Sequence, residues 1–464
     1  MIEALGERMA RWSLRWVPDP FILALLLTFL SLILAFFVQG FGILDAIGAW
    51  GGRIIHGEVT KDEVGFWRFL AFSMQMCLIL VTGHALAATK PVGKLIRWIG
   101  SLPKNTAQAA SLTSFVSMLF GLINWGLGLI VGALLAREVG LAAKEKGNRI
   151  HYPLVVASGY LGLLIWHGGL SGSAPFKMTQ TKDVVEMLGA ERAASVGTVG
   201  LEQTIFSPMN GVVTVGLLVF IPIVFWLLAP KDPDKTQGVE IARIQYTEKR
   251  EEKRLKTPVE FLERTPLITI LICLLGFGYW FYYLSKISLW SIDINAINMF
   301  FLFLGLLLHG SPMNYIRAID EAAQGCGAII LQFPFYAGIQ GILQYSGLIK
   351  VMSDWIAANS TVHSLPVFTF FSATIVGLFI PSGGAQWGVQ GPVVVDSAAN
   401  LGTPLGPTIM ALAYGDEYAN MLQPFWALPL LSITGLRARD IIGYTTLVML
   451  LSTPVFVIPL WIFV

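Results

Sequence analysis

The sequence predicts an all-α polytopic membrane protein folded from two inverted structural repeats, with two re-entrant hairpins and two discontinuous helices. Three observations carry the prediction. The 464 residues are 55% hydrophobic and only 13% charged, whereas soluble domains are about one quarter charged. Apolar runs of about 20 residues recur, the length at which a helix crosses hydrocarbon. Backbone groups in lipid must be satisfied by helix or closed barrel, and the short alternating segments of a barrel are absent. Finally, glycine- and serine-rich interruptions fall at matching places in the two halves.

Residues 1–19 lead into the first span, 20–40, which Pro18 and Pro20 open. The run is long enough to span and no small-residue cleavage site follows, so it is not read as a cleavable signal. Further spans are expected at 66–88, 152–176, 208–229, 266–285, 294–309, 326–346, 406–430 and 441–463. The apolar segments 107–135 and 365–396 are interrupted at mid-depth, and each is read as a re-entrant hairpin that enters and leaves on one side. The first half is then 1–230, a basic linker follows at 231–265, and the second half is 266–464. The run EKREEKRLK at 248–256 is read as solvated linker. Of the 31 Lys and Arg, 23 lie in 1–19, 89–106, 136–151, 230–265, 310–325 and 431–440. Positive residues favour the cytoplasmic side, which places the N-terminus inside and opens the hairpins from opposite faces. Cys77, Cys273 and Cys326 all sit in apolar segments, so neither a disulfide framework nor a metal-ligand spacing is present. The net charge of +2 gives no sign of a nucleic-acid partner.

Sliding the sequence by 257 lays 71–99 over 328–356 and pairs Ala71 with Ala328, Gln75 with Gln332, Leu86 with Leu343, Trp98 with Trp355 and Ile99 with Ile356. Gly126 then meets Gly383 inside the two hairpins. Each hairpin is followed by a broken helix, 152–176 and 406–430, in which Tyr160 matches Tyr414 and Pro175-Phe176 matches Pro424-Phe425. Inverted repeats with discontinuous helices are the mark of secondary transporters.

Four breaks are expected to converge: Asn124 to Gly128, Gly168 to Ser173, Ser382 to Gln386, and Tyr414 to Glu417. Non-helical backbone survives at membrane depth only where it is buried in protein or lines a cavity. Helix N-termini after each break offer N–H groups to a carboxylate, through Gly126, Gly172, Gly383 and Gly384. Ser171, Ser173 and Ser382 add hydroxyls, Asn124, Gln386 and Gln390 add amides, and Trp125 and Trp387 would wall a small apolar tail. No Lys or Arg lies at the breaks in sequence, which suits a singly charged anion. Asp416 and Glu417 would each cost about 2.5–3.5 kcal/mol or more at mid-bilayer, unless protonated or neutralised by a cation. Either route couples anion movement to H⁺ or Na⁺, with carbonyls near Gly383 and Gly415 available to Na⁺. Tyr414, Gly415, Asn420 and His167 complete the ion-coupling set. No other cofactor is implied.

Plainer roles are assigned elsewhere. Gly128 and Gly132 pack helices, His84 is a hydrogen-bonded structural histidine, Gln75 and Gln332 join helices, Trp98 and Trp355 anchor at the interface, and Asp396 is solvated. Gly169-Leu170-Ser171-Gly172 fits the GxSG of intramembrane serine hydrolases, with His84 or His167 as base. The histidine-helix pattern AHxxGxxxG is absent, so an enzyme is not expected. A channel would not need hairpins closing from both sides.

The blocks LAFSMQMCLILVTGHALA, INWGLGLIVGALLAREV, SGSAP, QFPFYAGIQ, PSGGAQWGVQGP and AYGDEYANMLQPFWALP resemble the bacterial short-chain fatty acid transporters, over essentially the whole chain. The resemblance implies uptake of short-chain monocarboxylates such as acetoacetate and butyrate across the inner membrane. It also implies membership of the ion transporter superfamily, whose members form homodimers and move a transport part like an elevator against a scaffold. The scaffold would be 20–40, 208–229, 266–285, 294–309 and 441–463, with the Trp-ended tails 86–99 and 343–356 as in-plane arms. An exporter or exchanger of another small carboxylate is the alternative. Three departures stand out. Where members read GGGHW this chain has Gly384-Ala385-Gln386-Trp387 after Gly383, where some have Gln after the acid it has Glu417, and WGGG is replaced by WHGG at 166–169.

Overall fold

Proline and short polar caps set where these helices begin. The structure, a computed structural model, describes residues 2–52, 54–55, 58–59, 65–188, 190–239, 257–286 and 293–464; the basic run 248–256 lies outside them. Helix α1 (Ile2–Trp16) is amphipathic and precedes α2 (Pro20–Gln39), which Asp19 caps by accepting the Phe21 N–H at 2.9 Å and Gly40 ends at φ +61°. Then come α3 (Ile43–Gly51), α4 (Leu70–Ala87) and α5 (Lys90–Gly100). Between α3 and α4, Ile54–Ile55 and Glu58–Val59 form the one strand pairing among the described residues. The chain continues through α6 (Thr106–Ile123), α7 (Trp125–Glu145), α8 (Tyr152–Gly159), α9 (Ser173–Met178), α10 (Thr181–Leu188), α11 (Ala190–Val196) and α12 (Pro208–Leu228). The second half comprises α13 (Pro258–Arg264), α14 (Pro266–Lys286), α15 (Ile294–His309), α16 (Pro312–Ala323), α17 (Gly327–Tyr345), α18 (Leu348–Ala358), α19 (Leu365–Gly377), α20 (Gly383–Leu401), α21 (Leu405–Ala419), α22 (Leu428–Thr434) and α23 (Ala438–Ile462).

Eight helical stretches among the described residues are long and apolar enough to cross a membrane. Their outward faces are greasy: Phe29 and Phe37 on α2 and Leu274, Leu275 and Phe281 on α14 are exposed, as expected where lipid is the solvent. The protein is thus an all-α, multi-pass membrane protein.

Both hairpins are present. In α6 and α7 the Ser117 hydroxyl donates to the Gly128 carbonyl at 3.3 Å, and a Cβ on Gly128 would lie 2.6 Å from Gly121 Cα. Partners thus climb on one arm as they descend on the other, about the single extended residue Asn124 (φ −158°). Glycine lets these backbones touch: Gly132 lies against the Gly159 carbonyl and Gly128 against Gly121. In α19 and α20, Gln386 Nε2 donates to the Ala373 carbonyl at 2.8 Å and Gln390 Nε2 to Ser372 Oγ at 2.6 Å. The arms run past the expected ends, to Glu145 and Leu401, because charges that end an apolar run do not end a helix.

The two broken elements run antiparallel between these hairpins. The first starts at the mouth of the first hairpin, where the His151 N–H donates to Thr106 Oγ1 at 2.9 Å. It breaks into 3₁₀ turns at Leu161–Leu164 and Trp166–Gly168. It resumes as α9, and the following helices continue along α20 to a partly solvent-exposed Arg192–Asp396 ion pair at 2.6 Å. The second starts with Gly406 against Gln203. It crosses the first where the Tyr160 hydroxyl donates to the Asn420 carbonyl at 3.0 Å, and ends where the Tyr152 hydroxyl reaches the Thr434 carbonyl at 3.0 Å. The hairpins therefore open on opposite faces and their tips meet between.

One break is displaced. Tyr414-Gly415-Asp416-Glu417 lie within continuous α21, and the interruption is Asn420 to Ala427. Gly415 is a packing glycine: its bare Cα admits the Phe370 carbonyl. Smaller expectations divide. Gln75 does join helices, donating to Asn295 Oδ1 at 2.9 Å, but Gln332 Oε1 and His84 Nε2 are buried without a hydrogen-bond partner. All three cysteines are free and buried. Trp98 and Trp355 are exposed on α5 and α18.

Candidate functional site

The turn residues 165–173, between α8 and α9, form a strap on which both hairpin tips rest. Glycine is required there: a Cβ at Gly169 would meet the Leu122 carbonyl and one at Gly172 the His167 carbonyl. The first tip docks through two hydrogen bonds. The Leu170 N–H donates to the Leu122 carbonyl at 2.7 Å, and Ser171 Oγ accepts the Trp125 N–H at 3.1 Å. Asn124 Oδ1 accepts the N–H groups of Gly126 (2.9 Å) and Leu127 (3.4 Å), an N-cap. The first turn of α7 is thereby satisfied from within the protein.

The second tip is open. Ser382 caps α20 weakly, its Oγ accepting the Ala385 N–H at 3.4 Å, and the N–H groups of Gly383 and Gly384 have no partner inside their own helix. Gly383 presses on a buried pair, His167 and Asp416. A Cβ there would overlap His167 Nε2 and lie 3.1 Å from Asp416 Oδ2.

The pair carries the chemistry. His167 Nε2 is 2.7 Å from Asp416 Oδ2, with the side chains 0% and 5% exposed. His167 Nδ1 accepts the Ser173 N–H at 3.2 Å. With Nδ1 accepting, Nε2 is the ring nitrogen left to donate to the carboxylate. Glu417 Oε2 accepts the His167 backbone N–H at 2.7 Å. Tyr414 donates to Asn210 Oδ1 at 2.8 Å, and Asn210 Nδ2 donates to the carbonyls of Gly168 (2.9 Å) and Ile205 (2.7 Å). Asn420 Nδ2 donates to the Leu163 carbonyl at 3.3 Å. Asp416 and Glu417 thus meet His167 on the strap, Tyr414 reaches it through Asn210, Asn420 bonds just ahead of it at Leu163, and Gly415 packs behind them. Among the described residues no group of three or more His, Cys, Asp and Glu could hold a metal ion.

The anion-binding set divides. Ser171, Gly172, Ser173, Ser382, Gly383 and Gly384 surround the meeting point, with Asn124, Trp125 and Gly126 at its first-hairpin edge. Gln386 and Gln390 are buried between the arms of the second hairpin, bonded to each other at 3.1 Å. Trp125 and Trp387 do not share a wall. Trp387 is buried with Ala174, Met178 and Val184, whereas Trp125 lies 5.0 Å from Trp426 and 6.3 Å from both Phe72 and Trp166. A lone Trp in an apolar run gives no sign of which face it takes.

Sequence reasoning missed Asn210 and the aromatic partners Phe72, Trp166 and Trp426. It also placed no cation at the breaks, whereas folding brings Lys177 to the second tip: a Cβ on Gly384 would lie 3.9 Å from Lys177 Cε and 4.0 Å from Ser173 Oγ. A lysine four residues past a serine gives no local sign of this. The hydrolase geometry is absent, since Ser171 is engaged by the first tip and both nitrogens of His167 are directed elsewhere.

A family model described as "Short chain fatty acid transporter" matches residues 1–463. A candidate short-chain fatty acid transporter of Escherichia coli (strain K12) is 40% identical over 466 residues, covering 100% of both chains. One of Haemophilus influenzae is 36% identical over 464 residues, covering 99% of this chain and 100% of the relative. Among solved structures, Neisseria gonorrhoeae MtrF, described within a class of antimetabolite efflux pumps, is 16% identical with a TM-score of 0.41, covering 98% of this chain and 97% of that chain. The Alcanivorax borkumensis YdaH transporter, described as having an unusual topology, is 15% identical with a TM-score of 0.40, covering 96% and 97%.

Proposed function

From the membership of this chain in the short-chain fatty acid transporter family, which makes it a membrane transporter and not an enzyme, we propose that it carries a short-chain monocarboxylate such as butyrate or acetoacetate across the bacterial inner membrane in symport with H⁺. The N-terminus is cytoplasmic, as the distribution of Lys and Arg argues, and the unit is a homodimer, as the family resemblance implies. The carboxylate binds at the second hairpin tip, among Ser382, Gly384 and Ser173, with its tail toward Trp125 and Trp426. One observation carries this reading: both tips meet on a single strap, and Gly383 touches the His167–Asp416 pair there.

The same contact supports a proton as the coupling ion. Asp416 Oδ2 faces a hydrogen-bond donor, His167 Nε2–H, where a Na⁺ ligand would need to face the ion. A proton arriving at His167 Nδ1 takes the lone pair that now receives the Ser173 N–H. The resulting imidazolium is paired by Asp416, while Ser173 and the strap must shift against the second tip. Protonation and anion binding thus meet at Ser173, which bonds His167 and borders the second tip. Alternating exposure follows as the hairpins and broken helices slide against the scaffold spans. Uptake of labelled butyrate into proteoliposomes under imposed H⁺ or Na⁺ gradients is the test. Saturable uptake driven by H⁺ alone is expected; dependence on Na⁺ removes the coupling assignment, and no saturable uptake under either removes the function.

A further inference from the structure

Resting on the monocarboxylate reading, we propose that Lys177 supplies the positive charge that pairs with the substrate carboxylate, in a slot kept open by the missing side chain of Gly384. A carboxylate near the second tip approaches Asp416, a buried acid. Hydroxyls and amide dipoles alone set it beside like charge, which disfavours it strongly in a low dielectric. A fixed cation at the tip reverses that balance. Lys177 brings such a cation to the second tip. Its Cε lies 3.9 Å from where a Gly384 Cβ would sit, with Ser173 Oγ 4.0 Å from the same point. The stem of Lys177 and the hydroxyl of Ser173 therefore both border the space that a Gly384 side chain would take.

Lys177 is also uncommitted. Its exposed ammonium makes no hydrogen bond or ion pair among the described residues, unlike those of Lys235, 2.8 Å from Glu7, and Lys350, 2.6 Å from Asp354. Its long stem lets the ammonium follow the carboxylate, and a single cation matches a single negative charge. Gly384 differs from its neighbour. A Cβ at Gly383 overlaps the buried pair, but one at Gly384 makes only ordinary contacts, so an alanine there fits the fold while intruding on the slot.

The experiment compares wild type, Lys177→Gln and Gly384→Ala in proteoliposomes. It reads KM for labelled butyrate, and inhibition by unlabelled butyrate against its uncharged analogue butyramide. K177Q is expected to raise KM by about tenfold or more, the scale of one lost charge-assisted hydrogen bond, and to lose the preference for the carboxylate over the amide. G384A is expected to raise KM with little change in maximal rate. Wild-type KM and discrimination in K177Q overturn the role of Lys177 and leave the transport reading standing. An unchanged KM in G384A overturns the slot. Should K177Q not fold, G384A decides. If wild type itself shows no saturable uptake, it is the transport reading that fails.

Discussion

The His167 imidazole joins parts of the chain that lie 249 residues apart, through its 2.7 Å contact with Asp416. Three predictions belong at this scale. Asp416→Asn removes the charge that answers an imidazolium, so uptake should become independent of the H⁺ gradient; retained gradient-driven accumulation counts against the pair. Gly383→Ala forces a Cβ into His167 Nε2. It should destabilise by about 1–3 kcal/mol, as overpacking does, and abolish transport, read by thermal unfolding and uptake on one preparation. Asn210→Ala strands the Tyr414 hydroxyl and the Gly168 carbonyl. The cost should be about 1–3 kcal/mol for buried groups left unpaired, seen as a lowered unfolding temperature.

Among the elements, the two hairpins are related by sequence yet differ at their tips. Asn124 and Ser171 close the first, whereas Ser382 leaves the second open, so the second is assigned the ligand. At the mouth of the first hairpin, His151 lies in the loop ahead of α8. It accepts the Gln237 N–H through Nδ1 at 3.1 Å and pairs with the Tyr444 hydroxyl through Nε2 at 2.9 Å. Burial lowers its pKa from 6.5 to about 4. The folded state therefore refuses a proton that the unfolded chain accepts, and stability is full above pH 6.5 and falls as the pH drops toward 4. The loss amounts to about 1.4 kcal/mol per pH unit at most. His151→Asn should flatten the dependence of unfolding temperature on pH between 7 and 5; an unchanged slope contradicts this.

For the molecule as a whole, the antiparallel crossing of the two broken elements places 89–105 and 179–207 on opposite faces. A membrane-impermeant thiol reagent should reach Ser195→Cys in intact cells but Lys104→Cys only after permeabilisation, since the native cysteines are buried; labelling of both from one side refutes the topology. By itself the sequence determined the all-α membrane class, the hairpins, the repeat and the two adjacent acids. Hydropathy, glycine and proline act within a few residues, and each leaves a local mark. What only the tertiary structure decided is where distant segments touch. Gly415 looks like a breaker in the chain but is a packing surface for Phe370, so the second break moved to Asn420–Ala427. Trp387 faces a different cluster from Trp125, Asn210 ties Tyr414 to the strap, and Lys177 reaches a hairpin tip two hundred residues away. Such contacts depend on how helices cross, and the free energy of crossing is set by shape complementarity between faces that no single stretch of sequence contains.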